Sequence, residues 1–297
     1  VHPMANADCR NQMSMEKFVL LGFGNLPELQ ILLCLLFLAI YMVTMAGNIL
    51  IVVLDVADQH LHTPMYFFLV NLSCLETCYT STILPRVLAS LLTGDRTISV
   101  SGCMTQFYCF CILAATEYYL LAVMSYDRYL TICNPLRYAT LMNGSICFQL
   151  AACSWTSGFL GSIIVIILMT KIKFCDSNEI DHFFYDSSPT IKLSFSDTQL
   201  LELMIFTLSS VGSLVPFLFT LASYVCIFNT ILRIPSTTGR QKAFSTCSSH
   251  IVTVTTFYGT LIIGYMVPTA HRSKDLHKIF SVFYSVLPPR STPSSTV

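Results

Sequence analysis

The chain has 297 residues, of which 54% are hydrophobic and only 11% are charged, and its formal net charge is zero. Soluble domains carry about a quarter charged residues, so this composition excludes an ordinary water-soluble core. A neutral chain also lacks the basic surface that a nucleic-acid partner would require. Apolar runs long enough to cross a lipid bilayer recur along the sequence, and they predict an all-α, polytopic membrane protein.

Six full membrane spans are predicted from these runs, each long enough for a hydrocarbon layer about 30 Å thick. They cover Leu29–Leu54, Pro64–Leu92, Gly102–Ile132, Ile146–Thr170, Leu200–Leu232 and Ala243–Val267. Residues 1–28 show no basic segment followed by a short apolar run and a cleavage site, so no cleaved signal peptide is predicted. The first span is therefore expected to serve as the insertion signal.

A shorter seventh span is predicted after Leu276, where the apolar run IFSVFYSVL meets two prolines. Its apolar part falls short of the roughly 17 residues that a spanning helix needs, so we predict a truncated seventh helix. The expected organisation is an amino-terminal segment at 1–28, a seven-transmembrane helix bundle at 29–289 and an atypical short tail at 290–297.

Two acidic residues interrupt the apolar spans: Glu76 in NLSCLETCY and Glu117 in AATEYYLLAV. Each acid costs roughly 2.5–3.5 kcal/mol at mid-membrane, so both are expected to face the bundle interior and to mark a functional site. Two facing carboxylates, together with Asn48, would supply the oxygen ligands that hard cations prefer. A protonated carboxyl with a structural role and an ion-coupled transporter are the alternative interpretations. Transporters often contain inverted repeats and interrupted helices, and the sequence shows neither.

The segment Met124–Tyr138 reads MSYDRYLTICNPLRY and places three charges directly after an apolar span. Asp127 and Arg128 lie at the end of that span, and Pro135 ends the helix soon afterwards. A long arginine side chain at this position is held by its acidic neighbour, released toward a partner, or simply anchored at the membrane interface. The spacing alone leaves these interpretations open.

The same segment closely resembles the MAYDRYVAICNPLRY signature of olfactory receptors, a family of rhodopsin-like G-protein-coupled receptors. Further matches are GNILI after Ala46, LHTPMYFFLVNLS from Leu61, DHFFYDSSP from Asp181, SYVCI from Ser223 and KAFSTCSSHIVTVTTFYGT from Lys242. The resemblance runs from LLGF at Leu20 to about Pro289. It implies a multi-pass receptor of the plasma membrane with its amino terminus outside the cell. The Lys and Arg counts of the loops leave this orientation undecided.

The resemblance places G-protein coupling at the end of the third span. Asp127, Arg128 and Tyr129 are implied as the segment in which the arginine exchanges its acidic restraint for a stimulatory heterotrimeric G protein of the olfactory type. Tyr224 and Lys242 are implied to assist G-protein coupling at the same end of the bundle. This end of the third span would then face the cytoplasm.

Further sites are implied within the bundle. Tyr258 in FYGT takes the switch position of the sixth helix. Glu76 and Glu117 match a pair that lines a sodium site in such receptors, so a sodium ion is the implied allosteric ligand and no other cofactor is expected. The implied ligand pocket comprises Phe110, Cys111, Ala114, Ala115, Leu208, Ser209, Gly212, Leu261, Ile262 and Tyr265. These side chains are mostly small or apolar, which suits a small volatile organic molecule bound inside a protein surrounded by membrane lipid.

The second extracellular loop departs from the family pattern. It reads HFFYD, with Tyr185 where the family carries a cysteine that bridges to the third span. Cys103 keeps the family position on that span, and Cys175 is the cysteine that the loop retains. A substitute Cys103–Cys175 disulfide is therefore predicted, and it would contribute about 2–4 kcal/mol.

The carboxyl end departs as well, because RSTPSSTV stands where the family continues through an NPLIY motif. A truncated or decayed receptor that does not signal is therefore the alternative to a working one. An enzyme is not predicted. His250 lacks a spaced acid or a second ligand, and it is expected to be a packed or hydrogen-bonded residue.

Overall fold

The computed structural model describes residues 17–20, 27–58, 62–94, 97–170, 179–180 and 199–266. Six long helices correspond in order to the six full spans predicted from the sequence: α1 (Pro27–Ala57), α2 (Pro64–Thr93), α3 (Val100–Cys133), α5 (Gly144–Met169), α6 (Gln199–Arg233) and α7 (Thr237–Met266). A short helix, α4 (Pro135–Leu141), follows α3. The predicted all-α, polytopic class is confirmed. The predicted seventh helix and the tail lie outside the described residues.

Five of the described helices are long and apolar enough to cross a membrane. They contain Gln30–Ala57, Pro64–Thr93, Val100–Cys133, Gly144–Leu168 and Leu203–Arg233. The remaining long helix, α7, has 30 residues but begins with the polar sequence TTGRQKAFSTCSS. Helix α7 is therefore long enough to span a membrane, but its polar first part is typical of a helix segment that extends beyond the hydrocarbon layer.

The helix ends follow the local sequence. Helix α2 begins with Pro64, whose missing amide hydrogen costs nothing in a first turn, and ends before Gly94, which adopts the left-handed backbone with φ 71°. Ser99 caps α3 by accepting a hydrogen bond from the backbone amide of Gly102 at 3.1 Å. Asn143 caps α5 in the same way. These residues explain where α2 begins and ends and where α3 and α5 begin.

Helix α3 is the centre of the bundle, because it contributes to all three packed clusters of the described residues. The α1–α2–α3 cluster contains Phe37, Leu75, Tyr79, Ile83, Leu84, Val87, Phe110, Leu113, Ala114 and Leu120. The α2–α3–α5 cluster contains Phe68, Leu72, Met124, Leu130, Met142, Cys147 and Ala151. The α3–α6–α7 cluster contains Leu121, Tyr224, Ile227, Ile231, Cys247, Val254, Phe257, Tyr258 and Leu261.

Helices α3 and α5 pack closely against each other at Gly158. A β-carbon at this position would lie 2.9 Å from the carbonyl oxygen of Ile112 and would also collide with Thr116. Ser154 and Ser162, one turn away on either side, are both 3% exposed. Small residues spaced by four allow membrane helices to pack backbone against backbone. The sequence analysis did not identify this stripe.

A small three-stranded sheet lies at the end of the bundle where α3 begins. It comprises β1 (Lys17–Leu20), β2 (Thr97–Ser99) and β3 (Glu179–Ile180) in the order β2-β1-β3. Strand β1 runs antiparallel to β2 and parallel to β3. Arg86 of α2 donates a hydrogen bond to the carbonyl oxygen of Thr97 and so ties the sheet to the bundle. Strands this short carry no recognisable alternation, and the sequence analysis did not predict them.

Candidate functional site

The Asp127–Arg128 pair is buried at the end of the bundle where α3 finishes, which we call the Arg128 end. Asp127 is 1% exposed and Arg128 is 8% exposed. The hydroxyl of Tyr138 donates a hydrogen bond to Oδ1 of Asp127 at 2.8 Å. Pro135 starts α4 immediately after α3 and turns the chain back, and this turn brings Tyr138 to the carboxylate. Asp127 therefore receives its hydrogen bond from the following helix, while Arg128 attracts it electrostatically.

Tyr138 lies on α4, outside the membrane-spanning helices. Burial and, after it, the nearby Asp127 carboxylate raise the pKa of the Tyr138 phenol above its ordinary value. A raised phenol pKa keeps the hydroxyl protonated near neutral pH, so Tyr138 stays a hydrogen-bond donor. Tyr138 is therefore the donor of the Asp127–Tyr138 hydrogen bond.

Arg128 faces a tyrosine–histidine pair that joins α6 to α7. Its guanidinium lies within electrostatic range of Tyr224, Cys247 and His250. The Tyr224 hydroxyl is hydrogen-bonded to Nδ1 of His250, and the two rings stack with centroids 5.9 Å apart. His250 is therefore a hydrogen-bonded core residue, as predicted from the sequence. Its other ring nitrogen, Nε2, is buried without a hydrogen bond among the described residues.

The remaining coupling residues lie around this pair. Tyr129 packs at the border between the α2–α3–α5 and α3–α6–α7 clusters. Lys242 is exposed on the first turns of α7. Sγ of Cys133 lies 3.2 Å from Oγ1 of Thr230, which adds a direct contact between α3 and α6. The structure thus places Arg128 within electrostatic range of Tyr224, whereas Lys242 is exposed on the surface.

Tyr258 lies deeper in the bundle and is 4% exposed. Its ring packs against Phe217 of α6, with centroids 4.9 Å apart, and against Phe257, with centroids 5.3 Å apart. The Tyr258 hydroxyl is buried without a hydrogen bond to a described residue. The predicted switch residue therefore lies inside the α3–α6–α7 cluster.

Glu76 lies on α2 and Glu117 on α3, two helices that pack against each other. Glu117 is 8% exposed, Glu76 is half-buried, and their carboxylates lie within electrostatic range. Nδ2 of Asn48 is buried on α1 without a hydrogen bond in the described structure. The described residues contain no group of three or more His, Cys, Asp or Glu side chains suited to a metal ion. The two acids do share the bundle interior, and sodium binding stays a prediction.

The predicted pocket residues do not form one cluster. Phe110 and Ala114 pack in the α1–α2–α3 cluster, where the ring of Phe110 lies 5.3 Å from that of Tyr79. Leu261 packs in the α3–α6–α7 cluster. Cys111, Ala115, Leu208 and Gly212 are half-buried, and Ser209 is exposed. The side chains of Ile262 and Tyr265 lie outside the described residues, so the pocket as a whole stays a prediction.

Cys103 is a buried free thiol, 1% exposed, near the start of α3. Its predicted partner, Cys175, lies outside the described residues. The Cys103–Cys175 disulfide therefore stays a prediction.

Sequence reasoning missed two polar contacts that organise the bundle. One is the Tyr138–Asp127 hydrogen bond, although the PLRY sequence was noted as part of the signature. The other joins Trp155, the single tryptophan of the chain, to Asn71: Nε1 donates to Oδ1 at 3.3 Å. A lone tryptophan and a lone asparagine in two apolar spans are a signal for such a pair, because both need partners in lipid.

A bundle of long apolar helices with a buried Asp–Arg pair at one end and polar residues in its interior is typical of a multi-pass membrane protein. The comparisons with known proteins agree. The family model described as "Olfactory receptor" matches residues 37–294. The chain belongs to the olfactory receptor family, a family of receptors and not of enzymes.

Individual relatives show how far the similarity extends. The human olfactory receptor 6C4 is 45% identical, over 96% of this chain and 92% of that receptor. The human olfactory receptor 11L1 is 46% identical, over 96% of this chain and 88% of that receptor. The mouse olfactory receptor 5AP2 is 44% identical, over 96% of this chain and 90% of that receptor. The resemblance seen in the sequence is thereby confirmed.

Proposed function

We propose that the chain is an odorant receptor of the plasma membrane. It binds a small volatile organic molecule within the helix bundle and activates a stimulatory heterotrimeric G protein. Its amino terminus lies outside the cell, and the Arg128 end faces the cytoplasm. The observation that carries this proposal is the position of Arg128, which is buried within electrostatic range of the Tyr224–His250 pair of α6 and α7.

The described packing is a closed one. At 8% exposure, the Arg128 side chain is inaccessible to a partner protein until α6 and α7 draw away from α3. A ligand can bring about that change only by binding the open packing more tightly than the closed one. The Tyr224–His250 hydrogen bond joins α6 to α7, so we expect these two helices to move together. The Cys133–Thr230 contact between α3 and α6 would then be lost.

The α3–α6–α7 cluster connects the pocket to the Arg128 end. Leu261, a predicted pocket residue, and Tyr224, which faces Arg128, belong to the same packed cluster. Tyr258 belongs to that cluster as well. Close-packed interiors shift between discrete arrangements more readily than they deform, so a ligand that displaces Leu261 repacks the residues that cover Arg128.

The test is a cyclic-AMP assay on cells whose surface receptor is quantified by antibody staining. The probes are short-chain aliphatic alcohols, aldehydes, ketones and esters. We expect at least one class to raise cyclic AMP. Arg128→Gln should reach the surface and stay silent, whereas Arg137→Gln, which changes an exposed arginine on α4, should respond normally. Silence of the unmodified chain at matched surface levels, or a normal response of Arg128→Gln, would contradict the proposal.

Sodium binding belongs to the same proposal. The carboxylates of Glu76 and Glu117 would hold the ion with charged oxygen ligands, the type that hard cations prefer. Raising sodium at constant ionic strength, with choline as the balancing cation, should increase the unfolding temperature of the purified chain. Glu117→Gln should abolish that increase. An equal increase in Glu117→Gln would show that the two acids do not form the site.

A further inference from the structure

Arg86 is a basic residue inside the membrane-spanning helix α2, about two turns before the helix ends at Thr93. Its side chain is half-buried, and Nε is buried without a hydrogen bond to a described residue. A charged side chain within a membrane span is costly, so by default it indicates a functional site. None of the sites described above uses Arg86.

The described contact of the Arg86 side chain is a structural one. One terminal nitrogen, Nη2, donates a hydrogen bond to the carbonyl oxygen of Thr97 and ties α2 to β2. A guanidinium carries five N–H donors in a planar fork, and a neutral carbonyl oxygen satisfies one of them without balancing the positive charge. The contact with Thr97 therefore orients the side chain but does not supply a counter-ion.

The acidic side chains that the structure describes lie too far from Arg86 for an ion pair, which needs a nitrogen and an oxygen within about 4 Å. Glu76 precedes Arg86 by ten residues on α2, about 15 Å along the helix axis. Glu117 lies within electrostatic range of Glu76, at the same level of the bundle. The remaining acids lie at the Arg128 end, where α1 and α3 finish, and are Asp55, Asp58 and Asp127.

Arg86 lies on the face of α2 that borders α3 and the predicted pocket. Tyr79 lies seven residues earlier on the same face, about 10 Å away along the axis, and its ring packs against Phe110 of α3 with centroids 5.3 Å apart. Between these two levels, Nε2 of Gln106 on α3 donates to the carbonyl oxygen of Thr82 at 3.2 Å. Helices α2 and α3 therefore run side by side from Arg86 to Phe110, a predicted pocket residue.

Resting on the proposed function, in which a small molecule binds within the bundle, we propose that Arg86 determines the class of ligand. Its guanidinium binds the carboxylate of a short-chain carboxylic acid, whose apolar chain extends toward Phe110. Carboxyl groups lose their proton at about pH 4, so such a ligand is an anion at neutral pH. The guanidinium fork matches both carboxylate oxygens, and the ligand supplies the counter-ion. A neutral alcohol, ester or amide of the same length supplies none.

The experiment compares hexanoate with hexanamide, which have the same chain and differ in charge. Each is added to the purified chain in detergent while the unfolding temperature is recorded, and each is tested in the cyclic-AMP assay. In the unmodified chain, hexanoate should raise the unfolding temperature more than hexanamide and should be the more potent ligand. Arg86→Gln should weaken hexanoate about ten- to hundredfold and leave hexanamide unchanged, because it removes hydrogen bonds to a charged group.

Two further variants separate ligand binding from a structural role of Arg86. Arg86→Lys keeps the charge but loses the fork, so the potency of hexanoate should fall while that of hexanamide stays the same. This variant decides the test if Arg86→Gln does not fold. Gln106→Leu is the matched control, because it removes another side-chain hydrogen bond between α2 and α3 without changing a charge. It should keep the full preference for hexanoate.

Equal effects of hexanoate and hexanamide on the unmodified chain, or unchanged potency of hexanoate in either Arg86 variant, would overturn the proposal. An equal loss of the preference in Gln106→Leu would also overturn it, because Arg86 would then act only by joining the two helices. If hexanoate stabilises the purified chain through Arg86 while no probe raises cyclic AMP, the binding role stands and the proposed signalling fails. If neutral probes signal and acids have no advantage, the proposed function stands and the role of Arg86 fails.

Discussion

Buried polar groups are mostly hydrogen-bonded at the Arg128 end of the bundle, whereas several in the middle of the bundle are not. At the Arg128 end, Asp127 is bonded to Tyr138 and Tyr224 is bonded to His250. In the middle, polar atoms of Asn48, Thr220 and Tyr258 are buried without hydrogen bonds to described residues. A buried polar group without a partner costs about 1–3 kcal/mol. The Arg128 end is therefore stabilised in its present packing, whereas the middle of the bundle would become more stable in a packing that gave these atoms hydrogen bonds.

This difference fits the proposed function, in which a ligand binds in the middle of the bundle and the G protein binds at the Arg128 end. A ligand bound in the middle would then complete contacts that the described packing leaves unsatisfied. The Arg128 end, whose buried polar groups are hydrogen-bonded, then opens only when the whole α3–α6–α7 cluster repacks. The two regions differ in degree, because Nε2 of His250, at the Arg128 end, is also buried without a hydrogen bond to a described residue.

The largest effect is expected at the close contact of α3 with α5, because both regions depend on the position of α3. Gly158→Leu should force the two helices apart and destabilise the chain by about 3 kcal/mol, because a β-carbon there collides with the backbone of α3. Gly161→Leu is the matched control, since nothing lies within 4 Å of a β-carbon at that position. Unfolding temperature and surface staining measure the difference. Equal behaviour of the two variants would show that the helices are not in close contact.

The next effect concerns the bonded end. Tyr138→Phe should destabilise the closed packing by about 1.5–3 kcal/mol, because the lost hydrogen bond has a charged acceptor. Ligand-independent cyclic AMP should rise as Asp127 is released. Tyr119→Phe removes a half-buried phenol for which the described structure shows no hydrogen bond, and it should leave both properties unchanged. If Tyr138→Phe behaves like this control, Asp127 is not held by α4.

A smaller effect is expected at the pair that joins α6 to α7. Tyr224→Phe and His250→Phe should each weaken ligand-dependent signalling, because α6 and α7 no longer move together. The double variant should lose little more than either single one, with a coupling energy of about 0.6–1.7 kcal/mol. Additive losses in a double-mutant cycle of cyclic-AMP potency would mean that the two residues act independently.

The smallest effect should come from the hydrogen bond between α2 and α5, which lies outside the α3–α6–α7 cluster. Asn71→Leu removes the acceptor of the Trp155 indole and should lower stability by about 0.6 kcal/mol. Ligand potency should stay unchanged, because neither residue contacts the α3–α6–α7 cluster. A large shift in potency would show that α5, as well as the α3–α6–α7 cluster, connects the ligand pocket to the Arg128 end.

The six full spans were predictable from the sequence because the length of an apolar run is a property of a single helix. The identity of Asp127, Arg128 and Tyr258 as candidate site residues was likewise carried by local motifs. Contacts between helices were not. The collision at Gly158 depends on how close α3 lies to α5, and the Tyr138–Asp127 bond depends on the turn that Pro135 imposes. Unpaired atoms such as Oγ1 of Thr220 are visible only once all neighbours are placed.

The central claim, that the α3–α6–α7 cluster opens while the α2–α3–α5 cluster stays closed, is tested by two native cysteines. Cys247 is buried in the first cluster and Cys147 in the second, at 0% and 3% exposure. Membranes are treated with a small alkylating reagent with or without purified, nucleotide-free stimulatory G protein, and mass spectrometry follows each thiol. The account predicts that the G protein accelerates alkylation of Cys247 and leaves Cys147 unchanged. No change at Cys247, or equal acceleration at both cysteines, would contradict it.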